Sequence, residues 1–475
     1  MRRTAACTTF AVAVVVMLCP GPARAVSPTS RRVDGIPITA NAIATPLIRR
    51  GLDAADDGEN PGQWFDAALA SDPSSVTAQF LAGTLLPTID AKNAAMDAAL
   101  ERAGKLPEPE RLALQYVAAR LRFNVSEQVR ISALLVRLVP ASAIAHGFRG
   151  EALQLSGDTD GAEREYRRVL ALDPSKASAT AALGYAALGR DDTATAASLF
   201  ERFASLRPAS PRPHDALGEA MLRDGRFDDA IVEFTKASDA DQHFAMGHEG
   251  EAVARFYKGD RVGALAAMKT YIDRSDDKGG ADIGLAQLEL ALGDASAADR
   301  ALDDAITHRL GDQYWTALIG VFRGSLREYA GRHADAIAIL EPLRAAITGL
   351  RVPPSQMQGL EILRLQWLAM AQGSLGRTAD AKGSAVAAGT IAAASPADKV
   401  RADQAAIAAW AAAMSAHDAK AALRAVAHCQ FCRAARATAL ELAGRTEEAA
   451  AERAYLATHF SRDPESALTW TTRRR

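Results

Sequence analysis

Aromatic side chains make up only 6% of this 475-residue chain, and no asparagine occurs anywhere in residues 125–475. A sheet packs best with aromatic and β-branched residues on its pleated surface. The abundant alanine here suits helices that approach one another closely. An excess of either charge is also missing, since 55 Lys and Arg face 57 Asp and Glu, for a net charge of −2. That balance excludes a global electrostatic attraction to nucleic acid or to an anionic membrane surface. Long hydrophobic runs are absent as well. The best, "AVAVVVML" at 11–18, falls short of the ~20 residues that a membrane-spanning helix needs. Catalytic signatures are equally scarce. "HEGEA" at 248–252 begins like a zinc-protease helix but lacks the second histidine, and no phosphate-binding loop, dinucleotide fingerprint or nucleophile elbow occurs. His243 and His248 lie five residues apart, so they do not share a helical face as paired ligands would. The reading is therefore non-enzymatic, with no cofactor, metal or nucleic acid. With 49% hydrophobic and 24% charged residues, the chain still has the balance of a folded protein rather than a disordered one.

The first 25 residues read as a signal segment: a basic "MRR", the short apolar run, then "PARA" at 22–25, with cleavage expected after Ala25. The mature protein is expected to be soluble and exported, to the periplasm or into the medium. Residues 26–40 hold Pro, Ser and Thr without periodicity and read as a flexible lead. Four cysteines occur, and Cys7 and Cys19 lie in the signal segment. Cys429 and Cys432 remain as a lone C-x-x-C. In an oxidising compartment the pair reads as a structural disulfide or packed thiols, with a redox centre or a metal site as alternatives.

What the chain does have is a period. Ala162 recurs as Ala196, Ala230, Ala264 and Ala298, each 34 residues on. Gly157 recurs as Gly225, Gly259 and Gly293, with Asp191 in the one exception. Tyr166 recurs as Phe200, Phe234, Met268 and Leu302, and Gly150 as Gly184, Gly218, Ala252 and Ala286. Such a period specifies stacked helical hairpins. Small residues let paired backbones approach, a left-handed residue ends the first helix, an aromatic fills the space between helices, and Pro174 or Pro208 stops the second helix.

Those positions resemble the tetratricopeptide repeat (TPR) family, although its early tryptophan is absent and His214 and His248 stand in that place in two units. The resemblance implies an all-α solenoid of stacked antiparallel hairpins. It places degenerate hairpins at 41–142, a regular array at 143–312, repeats with insertions at 313–460 and a tail at 461–475. Gly331 with Ala336, Gly376 with Ala381 and Gly444 with Ala449 carry the later units. The first helices of such repeats line a concave face that binds extended partner segments. Transferred by register, those inner positions are Tyr185, Arg212, Glu219, Arg223, Glu249, Phe256, Tyr257, Glu328 and Tyr329. Family members that clamp a partner's terminal carboxylate do so with inner Lys and Asn residues, and the missing asparagine argues against that mode. The expected function is an exported scaffold for a protein or peptide partner in envelope assembly or secretion. A redox or metal-linked protein and a self-assembling solenoid are the alternatives.

Overall fold

The computed structural model describes residues 31–57, 60–429, 432–458 and 460; the expected signal segment 1–25 and the expected tail 461–475 lie outside them. A short antiparallel hairpin, β1 (Arg31–Val33) and β2 (Ile36–Ile38), precedes a run of helices. It corrects the expectation of a flexible lead for 31–38. Asp34 and Gly35, with φ of 49° and 80°, form its turn, and left-handed residues at both central positions match the twist of paired strands. Val33, Ile36 and Ile38 are buried against the first helices. The Asp34 carboxylate accepts from Ser142 Oγ at 2.8 Å and from the Ile144 amide at 2.6 Å, so the turn also caps a helix 110 residues away.

Twelve helical hairpins come next among the described residues. The first three pair α1 (Ala44–Asp57) with α2 (Gly62–Ser71), α3 (Val76–Gly83) with α4 (Ile89–Arg102), and α5 (Glu108–Leu121) with α6 (Val125–Leu138). The regular array pairs α7 (Ala143–Leu155) with α8 (Thr159–Leu172), α9 (Ala177–Leu188) with α10 (Thr193–Leu206), and α11 (Arg212–Arg223) with α12 (Phe227–Ala240). It continues with α13 (Met246–Lys258) and α14 (Arg261–Arg274), then α15 (Lys278–Ala291) and α16 (Ala295–His308). In the next hairpin α17 (Gln313–Tyr329) and α18 (His333–Leu340) are followed by an inserted helix, α19 (Leu343–Thr348). The last three pair α20 (Pro354–Ser374) with α21 (Thr378–Ala393), α22 (Lys399–Ser415) with α23 (Ala419–Ala425), and α24 (Arg433–Leu442) with α25 (Thr446–Thr458).

Each periodic residue type has its physical task. Gly157 has φ of 84°, and its neighbour Asp158 donates its amide to the Leu153 carbonyl at 2.9 Å, which closes α7. Asp191 adopts the same left-handed turn at φ 59°, a conformation that Asp tolerates better than most side chains. In four of the five regular hairpins the residue after the turn caps the second helix: Asp158, Asp192, Asp260 and Asp294 accept from amides at the third position beyond, while Arg226 makes no side-chain cap before α12. A Cβ on Gly150 would stand 2.7 Å from the Tyr166 ring, and one on Gly184 would stand 2.4 Å from Phe200. The aromatic therefore fills the surface left by the missing side chain in its own hairpin. Tyr166 also reaches Ala179 and Leu183 of the following one.

The stack curves until its end meets its middle. Ser355 Oγ donates to the Arg122 carbonyl at 2.7 Å and Gln356 to the Leu121 carbonyl at 3.0 Å, joining the tenth hairpin to the turn of the third. Arg401, almost fully buried, donates to the carbonyls of Ser355 (2.6 Å) and Phe123 (3.4 Å). Lys399 lies against Gly157 in the turn of the fourth hairpin. The Tyr455 hydroxyl donates to Asp191 at 2.5 Å, joining the twelfth hairpin to the fifth. Across the seam these contacts link hairpins seven or eight apart, so one superhelical turn closes on the next.

Candidate partner-binding groove

The first helices of the first six hairpins share one concave surface. A concave cavity of about 530 Å³ crosses the first six hairpins, from Leu52 and Asp56 on α1 through Val117 on α5 and Phe148 on α7 to Ala182 on α9 and Arg212 on α11. Leu85, Ile144 and Phe148 give it an apolar floor. Tyr116 stacks beneath Phe148 with ring centroids 4.1 Å apart, and its hydroxyl donates to the Phe148 carbonyl (2.8 Å) and to Glu151 (3.0 Å). Burial, reinforced by Glu151, pushes the Tyr116 hydroxyl well above the usual phenol range, so it remains a donor and fixes the floor. Charges on the walls are largely paired: Lys176 lies 3.6 Å from Asp53 and 3.5 Å from Asp56, and Arg120 lies 3.7 Å from Glu151. Burial alone would lower the Lys176 ammonium, but Asp56 and Asp53 outweigh it and hold the group above its ordinary value. An apolar floor between paired charges suits an extended or helical segment better than a small charged molecule.

The nine residues chosen by register divide. Arg212 is exposed and lines the cavity. Tyr185 is exposed and meets Phe200 edge-on at 5.0 Å. Glu219 and Glu249 are half-buried on α11 and α13. Arg223 lies 3.6 Å from Asp191, at the seam. Tyr257 packs on Phe227 at 6.0 Å and on Phe460 at 4.9 Å, also at the seam. Phe256 sits between two apolar clusters and serves packing between repeats. Two positions are corrected. Glu328 is buried and accepts from His333 (2.7 Å) and Ser374 (2.8 Å), while Tyr329 packs on Trp367 at 5.0 Å inside an apolar cluster. The longer α17 carries both into the packing between hairpins, where register from the shorter repeats placed a groove.

Sequence reasoning missed most of the cavity because α1 to α6 lack the repeat signature. One signal was within reach: stepping back 34 residues from Ser178 and Ala182 lands on Ile144 and Phe148.

Cys429 and Cys432 are joined, with Cα atoms 5.5 Å apart, just before α24. Both are buried with Val426 and lie against Trp410 and Ile407. Among the described residues, no three His, Cys, Asp or Glu side chains gather as a metal site would require, and no helix is long and apolar enough to cross a membrane.

Stacked hairpins with small, left-handed and aromatic residues in fixed register define a TPR-type α-solenoid. Among solved structures, the chain is similar to a tetratricopeptide repeat protein from Parabacteroides merdae ATCC 43184, with 14% identity over 59% of this chain and 98% of that one and a TM-score of 0.38. It is also similar to the APC/C hetero-tetramer Cut9–Hcn1 (14% identity, 89% of this chain and 78% of that one, TM-score 0.43). A third similar structure is YrrB, described as a TPR protein with an unusual peptide-binding site (16% identity, 38% of this chain and 93% of that one, TM-score 0.26). No family model and no curated protein sequence matches the chain.

Proposed function

We propose that this protein is an exported, non-enzymatic scaffold that holds a segment of a protein partner along the concave face of its first six hairpins, in envelope assembly or secretion. The observation that carries the reading is the cavity itself. Apolar side chains from α1, α5, α7 and α9 line it, and most of its charges are already paired. A preformed surface of this kind costs the scaffold little ordering on binding, so the partner segment bears most of that cost.

Photo-crosslinking residues placed at Leu85 and Ser178, on the concave face, are compared with the same residues at the exposed Val232 and Val262. The reading predicts a discrete partner adduct from the concave pair only. It also predicts that Leu85→Arg with Arg212→Glu lowers adduct yield by about tenfold or more, the effect of removing one hot-spot contact, with helical content unchanged. Equal adducts from both pairs, or an adduct indifferent to the double variant, would overturn it.

A further inference from the structure

The second helices of the regular array, α8, α10, α12, α14 and α16, hold 14 residues each, whereas α23 holds 7. Beyond α23 comes the turn that carries the Cys429–Cys432 disulfide, and Cys432 stands directly before α24. Carbonyls of this turn accept from both neighbouring first helices. His428 accepts from Lys399 Nζ of α22 at 2.8 Å, and Val426 and Cys429 each accept from Arg436 of α24 at 3.3 Å. Both donors lead to the seam. Lys399, paired with Asp403, lies against Gly157 of the fourth hairpin. Arg436 shares Glu452 of α25 with Arg433, at 3.1 and 3.0 Å, and the Arg433 guanidinium lies 3.7 Å over the Tyr455 ring. Tyr455 in turn reaches Asp191 of the fifth hairpin. Two seam contacts therefore depend on the path of one short turn, and a disulfide sets that path. Closing a loop of four residues removes little long-range chain entropy, so the bond acts mainly on local geometry.

We infer that the Cys429–Cys432 disulfide is a redox-sensitive fastening of the seam. Oxidised, it holds the last two hairpins against the fourth and fifth; reduced, it releases them and the superhelical turn opens. The device is separate from the concave cavity and does not depend on what binds there. The reductant is a dithiol. One of its thiolates attacks Cys429 Sγ, the bond between the two Sγ atoms breaks, and Cys432 leaves as a thiolate. That charge forms at the N-terminus of α24, beside Arg433 and Arg436, a setting that stabilises it and makes Cys432 the better leaving sulfur. The second thiol of the dithiol then displaces Cys429 and closes the dithiol's own disulfide. Two electrons pass to the protein, and the dithiol's two protons end on Cys429 and Cys432. Freed from the bond, the turn no longer holds its carbonyls toward Lys399 and Arg436. The coupling is reciprocal: a bond that favours the closed seam is itself protected by that seam.

The full chain is compared oxidised and in dithiothreitol, with alkylation of Cys429 and Cys432 read by peptide mass. Reduction of the folded protein should speed hydrogen exchange of the α25 amides at least about tenfold, leave α16 unchanged, and enlarge the radius in small-angle scattering. Reoxidation should reverse these changes. Cys429→Ser with Cys432→Ser should show the reduced behaviour with or without dithiothreitol. Tyr455→Phe, which removes the hydroxyl that reaches Asp191, should make the disulfide about fivefold or more easier to reduce in buffers of reduced and oxidised dithiothreitol. A purely structural disulfide would not respond to that distant contact. A bond that resists dithiothreitol until the array unfolds, α25 exchange that stays the same, or exchange that quickens alike in every hairpin would overturn the inference. So would an unchanged radius, or a reduction equilibrium indifferent to Tyr455→Phe.

Discussion

At the scale of the residue, the fold depends on positions where a side chain has no room. A Cβ at Gly184 would stand 2.4 Å from the fully buried Phe200 ring, so Gly184→Val should destabilise the array by about 1–3 kcal/mol, the usual cost of overpacking. Urea unfolding measures this, and Phe200→Leu in the same chain should restore part of the loss. His248 supplies a pH dependence. Burial first, then the neighbouring Arg274, lowers its ring below the ordinary 6.5, although Glu251 and Asp239 pull the other way. The folded state therefore prefers the neutral ring. Stability from this residue is fully present above about 6.5 and is lost as acidification protonates the unfolded chain first. His248→Gln should flatten the fall in stability between about pH 7 and 5, read by melting at stepped pH; an unchanged slope would refute the assignment. The Cys429–Cys432 link closes a four-residue loop, and Cys429→Ser with Cys432→Ser should cost about 2 kcal/mol. A catalytic redox role would instead show as loss of function without loss of stability.

At the scale of the element, the helices from 143 to 312 were legible because the same local needs return every 34 residues: a small residue under a large apolar side chain, a left-handed turn and, in all units but one, an aspartate cap. The N-terminal β-hairpin shows what is lost when attention stays on that period. Asp34-Gly35 between Val33 and Ile36 is a turn signal in its own right, yet the strands are only three residues each. Their stability comes from distant partners: Glu110 accepts from the Thr39 amide (2.8 Å) and hydroxyl (2.6 Å), and Asp34 caps α7. Asp34→Ala should accordingly cost about 1 kcal/mol, the value of a helix cap, and should loosen α7 before any later helix in hydrogen exchange. Glu328 and Tyr329 mark the opposite limit. Register places them on an inner face, but α17 runs to Tyr329 and the inserted α19 changes what packs there.

At the scale of the whole molecule, the seam was not legible at all. The small rotation between neighbouring hairpins has to accumulate over seven of them before Tyr455 meets Asp191, and no pattern within one repeat encodes that sum. Its centre is Arg401, paired with Asp398 at 3.0 Å; both side chains are buried. Removing the guanidinium leaves Asp398 buried without its cation, so Arg401→Met should cost about 3 kcal/mol and open the turn, seen as a larger radius in small-angle scattering with helicity kept. The closed turn is what makes the inner helices a bounded groove, so the account stands or falls on it. Nitroxide labels at the exposed Ala194, on α10 one turn from Asp191, and at Ala454, on α25 beside Tyr455, test it in solution. The closed turn predicts a single narrow, short distance that Arg401→Met with Phe460→Ala broadens; a broad or long distance in the wild-type chain, as an open spiral of the same hairpins would give, contradicts it.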